Sequence, residues 1–200
     1  MNLAVFVSGR GSNLRAILDS AELKNLIEVK IVLSDKADCP AFQIANQFSI
    51  PSRSLGEHEG KISYKNLSKF LSELKIDLIV LAGFLKLIPQ EVIINFRNRM
   101  INIHPALLPS FGGKGMYGIN VHKKVFESSA KVSGATVHFV DETFDTGKII
   151  AQRCVDISDV KSPEEIAERV LVEEHKLLPF VIKKIAEGKV KNLTGRVEII

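Results

Sequence analysis

The chain has 200 residues, is 46% hydrophobic and carries a formal net charge of +4. That length suits one substantial core, or two lobes sharing a sheet, and the interspersed charges exclude the massed basic stripe of a nucleic-acid groove. Two cysteines, Cys39 and Cys154, lack metal-ligand spacing and predict free thiols in a reducing compartment.

Met1–Val7 has no basic leader and is too short for a signal peptide or membrane span. It reads as a core strand at the start of a cytoplasmic protein. The apolar run 3–7 is ended by Ser8-Gly9-Arg10-Gly11-Ser12-Asn13, which turns a buried strand into a helix bearing Leu14, Ile17, Leu18 and Ala21 at helical spacing. A helix start of this kind, at Gly11, Ser12 and Asn13, is an anion site, most simply for a phosphate. A structural turn and a dinucleotide site are the alternatives. Against the dinucleotide stands Leu14, where a Rossmann fingerprint has a third small residue, although Asp35 after the strand Val29–Leu33 could mimic its ribose-binding acid.

The βα rhythm predicts a helix over 39–48, a strand over 50–55, a helix over 61–74 and the strand 78–82. Such alternation argues for a parallel sheet with right-handed crossovers. Within the polar stretch 52–65, Lys61 or Lys65 either reaches a bound phosphate or is an ordinary exposed lysine. The run Gly83–Pro89 lines a flat-ligand pocket or tucks under the helix 91–96.

Met100–His104 reads as a short strand stopped by Pro105, which lacks the ladder N–H and biases His104 toward extended backbone. Asn102 and His104 then share one face, at a strand end where parallel sheets bind ligands. The plainer reading is a turn histidine with a satisfied ring. Four glycines in 110–118 predict a flexible covering loop, without the ending of a P-loop. The strand 132–140 sets Thr136, His138 and Val140 on one face and leads to the acidic turn 141–147 and the strand 149–157. A last helix opens with Ser162 as N-cap, Pro163 at the first position and Glu165 completing a capping box. Glu174 falls on its apolar stripe, so it needs a polar ligand or a partner such as His175 or a lysine. Pro179 predicts a kink, and residues 190–200 an edge hairpin.

Taken in order, Ser8-Gly9-Arg10-Gly11-Ser12-Asn13-Leu14, Leu81-Ala82-Gly83-Phe84, Asn102-Ile103-His104-Pro105-Ala106-Leu107-Leu108-Pro109, Thr136-Val137-His138-Phe139-Val140-Asp141 and Asp145-x-Gly147 closely resemble the phosphoribosylglycinamide formyltransferase family, folate-dependent enzymes of purine biosynthesis. The resemblance spans essentially the whole chain. It departs in the longer, glycine-rich loop 111–118, and in Lys86 and the loop 56–65, where some relatives carry arginines.

The resemblance implies a Rossmann-like α/β fold: a mostly parallel sheet with flanking helices, continuing into a smaller C-terminal folate-binding lobe on the same sheet. Residues 1–98 would bind the nucleotide and 99–200 would bind folate and carry catalysis, together one compact domain with the active site at the seam. It further implies formyl transfer from 10-formyltetrahydrofolate to glycinamide ribonucleotide, with no metal, nucleic acid or membrane, by a monomer or homodimer. Carried over by position, Asn102, His104 and Asp145 would be catalytic, with His138 orienting Asp145 and a protonated His104 donating to the oxyanion. Gly11, Ser12 and Asn13 would hold the ribotide phosphate and Glu174 its sugar hydroxyls. Leu85, Lys86, Leu87, Ile88, Val140 and Asp141 would embrace the folate pterin. The alternatives are a 10-formyltetrahydrofolate deformylase or a formyltransferase for another amine, a nucleotide- or NAD-binding module, and a metal site built from His104, His138 and Asp145.

Overall fold

Where the sequence gives an unbroken apolar run, the chain forms a strand buried on both faces. A computed structural model describes residues 1–200. In its first strand, β1 (Asn2–Val7), every residue from Leu3 to Val7 is fully buried, as expected for a parallel sheet covered by helices on both sides.

The chain divides into two compact units, Met1–Asn102 and Ile103–Ile200. The first adds β2 (Glu28–Ser34), β3 (Ser52–Ser54), β4 (Leu78–Leu81) and the start of β5 (Met100–His104), with α1 (Ser12–Asp19), α2 (Ala41–Gln47), α3 (Leu67–Glu73) and α4 (Gln90–Asn95) between them. β1 pairs in parallel with both β2 and β4, β2 with β3, and β4 with β5. Phe6 meets Phe84 edge to face, with ring centroids 5.4 Å apart, and burying each such ring stabilises by roughly 1.5–3 kcal/mol. The helix expected over 61–74 is confined to α3. The segment before it is instead tied back by the isolated bridge between Leu55 and Ile62 and by Tyr64 N–H donating to the Glu57 carboxylate at 3.2 Å.

The second unit contains α5 (Ile119–Glu127), β6 (Val132–Phe139), β7 (Ile149–Asp156), α6 (Pro163–Ala186), β8 (Val190–Asn192) and β9 (Val197–Ile199). β6 and β7 are antiparallel, with a register shift between Val137 and His138. The strand order of the seven-stranded sheet is β3-β2-β1-β4-β5-β6-β7, so the architecture is α/β with a mostly parallel, mixed sheet. The C-terminal hairpin is a separate two-stranded sheet, β8-β9.

α6 begins as its sequence dictates. Ser162 Oγ accepts from the Glu165 N–H at 3.3 Å. The Glu165 carboxylate reaches one residue further back than a standard capping box, accepting from the Lys161 N–H at 3.0 Å. Pro179 is accommodated inside the helix, which runs on to Ala186. No helix is long and apolar enough to cross a membrane.

Close approach of β6 and β7 depends on Gly134. A Cβ there would lie 2.0 Å from the Arg153 carbonyl oxygen and 2.8 Å from Leu107 Cδ2. The carbonyl cannot retreat without breaking the ladder, so we expect Gly134→Ala to cost about 3 kcal/mol, read as a lower urea midpoint. A midpoint equal to that of the parent chain would refute this tight contact.

Candidate active site

The strand β5 delivers His104 to its C-terminal end, where Pro105 stops the ladder. His104 is 3% exposed. Its ring Nε2–H donates to the Phe111 carbonyl at 2.9 Å, because a carbonyl can only accept. Its Nδ1 lies 3.6 Å from Asp145 Oδ2. From the other side, His138 Nε2 lies 3.6 Å from Asp145 Oδ1, while His138 Nδ1–H donates to the Phe139 carbonyl at 2.8 Å. The carboxylate therefore sits between two imidazoles drawn from different strands.

Three local features build this arrangement. The ladder shifts register where Val137 opposes Ala151 and His138 opposes Ile149, which leaves Ile150 of β7 as the extra residue beside His138. Thr136 is fully buried and holds the segment after His104. Its hydroxyl donates to the Ala106 carbonyl at 2.6 Å and accepts from the Leu108 N–H at 3.1 Å and from Gln152 Nε2 at 3.0 Å. Asp145 itself has left-handed backbone, with φ +59°, a conformation that Asp tolerates better than most residues. The acid-x-glycine spacing has a steric cause, since a Cβ on Gly147 would lie 1.8 Å from the Phe139 carbonyl oxygen.

Burial pushes the Asp145 carboxyl up. The His138 ring 3.6 Å away, the nearby His104 ring and the Gly113 N–H donating at 2.9 Å outweigh it and hold the group below its ordinary range. Burial pushes His104 below 6.5, and neither Asp145 nor the Phe111 carbonyl restores it. That direction favours a neutral His104, its Nε2–H committed to Phe111, over the protonated ring expected from sequence. A neutral imidazole facing an ionised carboxylate is a proton acceptor whose charged form is stabilised once made. The three side chains do not form a metal-ligating cluster.

Asn102 ends the stretch of β5 that pairs with β4, opposite Leu81, two residues before His104 on the same strand. Gly11 is the N-cap of α1 at φ +79°, with no side-chain cap on the helix. A Cβ on it would meet Ala41 Cβ at 2.6 Å. Ser12 opens the helix, and Asn13 is buried in its first turn. Asp35 does not await a ribose, because its carboxylate accepts from the Ser8 hydroxyl at 2.5 Å, and that hydroxyl accepts from the Leu85 N–H at 3.0 Å. Leu85, Lys86 and Leu87 are exposed, while Ile88 is buried. Val140 and Asp141 follow β6, and the Asp141 carboxylate ties its own turn by accepting from the Thr143 N–H and the Thr146 hydroxyl. Glu174 is buried on α6, as its place on the apolar stripe predicts. The neighbouring His175 Nε2 makes no hydrogen bond, so that nitrogen is not the partner anticipated for Glu174.

Sequence reasoning did not find His122, a buried histidine on α5. Its Nδ1 has no hydrogen-bond partner, and burial together with nearby His104 lowers its pKa to about 4. Nothing in its spacing marks it, because it reads as one more residue on a helix face.

Comparison with known proteins follows the same line. The formyl transferase family model matches residues 1–182. The chain is 45% identical to the chloroplastic phosphoribosylglycinamide formyltransferase of Arabidopsis thaliana, over 94% of this chain and 66% of that protein. It is 37% identical to the phosphoribosylglycinamide formyltransferase of Bacillus subtilis, over 91% of this chain and 93% of that one. The crystal structure of the Anaplasma phagocytophilum phosphoribosylglycinamide formyltransferase superposes with a TM-score of 0.88 at 32% identity, covering 100% of this chain and 94% of that one. The chain spans about two thirds of the length of the plant relatives and nearly all of the bacterial ones. It belongs to the formyl transferase family. Its place there is among the phosphoribosylglycinamide formyltransferases.

The orphaned His122 sets a pH dependence. Its folded pKa of about 4 lies below its ordinary 6.5, so the unfolded chain binds the proton first. Stability is therefore complete above 6.5 and falls as pH drops from 6.5 toward 4. We expect His122→Leu to be nearly neutral at pH 7.5, but at pH 4.5 to be more stable than the parent by about 2 kcal/mol. Urea melts at both pH values check this. An equal difference at the two would contradict it.

Proposed function

We propose that this chain transfers the formyl group of 10-formyltetrahydrofolate to the amine of glycinamide ribonucleotide, giving formylglycinamide ribonucleotide and tetrahydrofolate in purine biosynthesis. The observation that carries the reading is the ionised Asp145 set between the rings of His104 and His138. The folate supplies a formyl carbon for the amine to attack and a leaving nitrogen that must be protonated.

The residues of the chain suit each step. As the new C–N bond forms, His104 Nδ1 takes the proton that the attacking amine loses. Asp145 stabilises the imidazolium electrostatically, and His138 keeps the carboxylate aimed. The same proton passes to the folate nitrogen as its bond to the formyl carbon breaks, so no charge is left behind. Asn102 donates its amide N–H to the formyl oxygen as negative charge develops there, worth about 3–4 kcal/mol for such a donor. Holding both substrates in place supplies much of the remaining acceleration.

In this reading Gly11, Ser12 and Asn13 bind the ribotide phosphate, supported by the uncapped N-terminus of α1. Glu174 binds the sugar hydroxyls, as its buried place on α6 supports. The apolar, exposed Leu85 and Leu87 fit a flat pterin, with Lys86, Ile88, Val140 and Asp141 completing its surroundings. Residues 1–98 carry the nucleotide role and 99–200 the folate and catalytic role. The proposal includes a cytoplasmic site of action and a monomeric or homodimeric state, which sedimentation measures.

The direct test is tetrahydrofolate release by the purified chain on mixing both substrates. Turnover should require the ribotide, and formate release at full rate without it would mark a deformylase instead. His104→Ala should remain folded and lose about 10²–10⁴ in kcat, and Asn102→Ala about 10²–10³. A folded His104→Ala that turns over at the parent rate removes the assignment.

A further inference from the structure

The turn 111–113 touches both halves of the His104–Asp145 pair with its backbone alone. The Phe111 carbonyl takes the His104 Nε2–H at 2.9 Å. Two residues later the Gly113 N–H is given to Asp145 Oδ2 at 2.9 Å, the same oxygen that faces His104 Nδ1. Between them, Gly112 leaves no room for a side chain. A Cβ there would stand 2.6 Å from Leu108 Cδ2 and 3.1 Å from Asp145 Cβ. The leucine methyl can swing aside, but Asp145 Cβ is fixed by its backbone. Phe111 has left-handed backbone at φ +56°, a region a bulky residue enters only where its surroundings hold it. The turn is thus pressed against the pair by a strained residue, a required glycine and two hydrogen bonds.

We propose that the backbone of Phe111–Gly113 is a positioning element for the reaction: it fixes His104 as the Nε2–H tautomer and aims Asp145 Oδ2, so that Nδ1 is the nitrogen that exchanges the proton. In a neutral histidine one nitrogen donates and the other accepts. A carbonyl bound to Nε2 leaves the Nδ1 lone pair facing Asp145, where a proton gained is at once shared with a carboxylate. Without the carbonyl, the opposite tautomer would spend its Nδ1–H on Asp145 and have no lone pair on that side to receive a proton. The charged and titratable groups around the ring are Asp145, His138 and His122, and none of them supplies Nε2 with an acceptor in place of Phe111.

The inference rests on His104 and Asp145 being the reacting pair, and its test separates the two claims. Long-range ¹H–¹⁵N spectra of the full chain without substrate, at pH 7.5, report the His104 tautomer whatever the reaction is. We expect the Nε2–H form. An Nδ1–H form, or an even mixture, overturns the proposal even if the chain transfers formyl groups normally. In Gly112→Ala we expect loss of the single tautomer, kcat lower by at least about tenfold, and KM for both substrates within about twofold of the parent. A folded Gly112→Ala that keeps the Nε2–H form, keeps its kcat, or changes KM alone also overturns it. If that variant does not fold, the spectrum of the parent chain decides. Lys114→Ala, an exposed change in the same loop, should alter neither reading.

Discussion

An ionised carboxylate with little water around it is the costly object on which the second unit depends. The Asp145 side chain is 11% exposed, and burial alone would raise its pKa and neutralise it. Removing such a group from water costs several kcal/mol if nothing replaces the solvent. Here the Gly113 N–H at 2.9 Å and the flanking His138 ring replace it, and the carboxyl is held below its ordinary range. The left-handed backbone of Asp145 adds about 1–2 kcal/mol of local cost, which the same contacts must offset.

Each of those contacts comes from a different part of the fold. His138 stands on β6 opposite the extra residue of β7, and His104 at the end of β5. The amide of Gly113 comes from an irregular turn. Side chains on strands are held more firmly than those on loops, so both imidazoles have rigid supports while the turn contributes backbone. Thr136 and Gln152 extend that rigidity past the strand end by binding the backbone of Ala106 and Leu108. Glycine is required at positions 112, 134 and 147 for one shared reason, the close passage of another chain segment.

The parallel sheet was legible because its strands are buried on both faces and write continuous apolar runs, as β1 and β4 do. The start of α6 was legible because Ser162, Pro163 and Glu165 act within one turn. The pairing of Asn102 with His104 on one strand was legible from period two alone. What escaped has no local signature. The extra residue opposite His138, Ile150 of β7, is decided by how β7 pairs with β6, and propensity carries no trace of it. α3 starts later than its helical pattern suggested, because the segment 55–64 finds bridges and side-chain acceptors of its own. The burial of His122, and the carbonyl that claims His104 Nε2, arise from packing between elements distant in sequence.

The charge state of His104 bears on how the proposed chemistry gains its rate. Had the ring been protonated at rest, its ion pair with Asp145 would stabilise the resting enzyme and the reacting state alike, and uniform binding of that kind does not raise kcat. A neutral ring beside an ionised carboxylate leaves the pair unmade until the amine gives up its proton. The attraction then appears on the reaction path, where two unit charges about 4 Å apart near a protein surface interact by roughly 4 kcal/mol. The burial that lowers the pKa of His104 is therefore not a defect that Asp145 fails to correct. In the proposed reaction it withholds a favourable interaction from the ground state and makes it available where the proton moves.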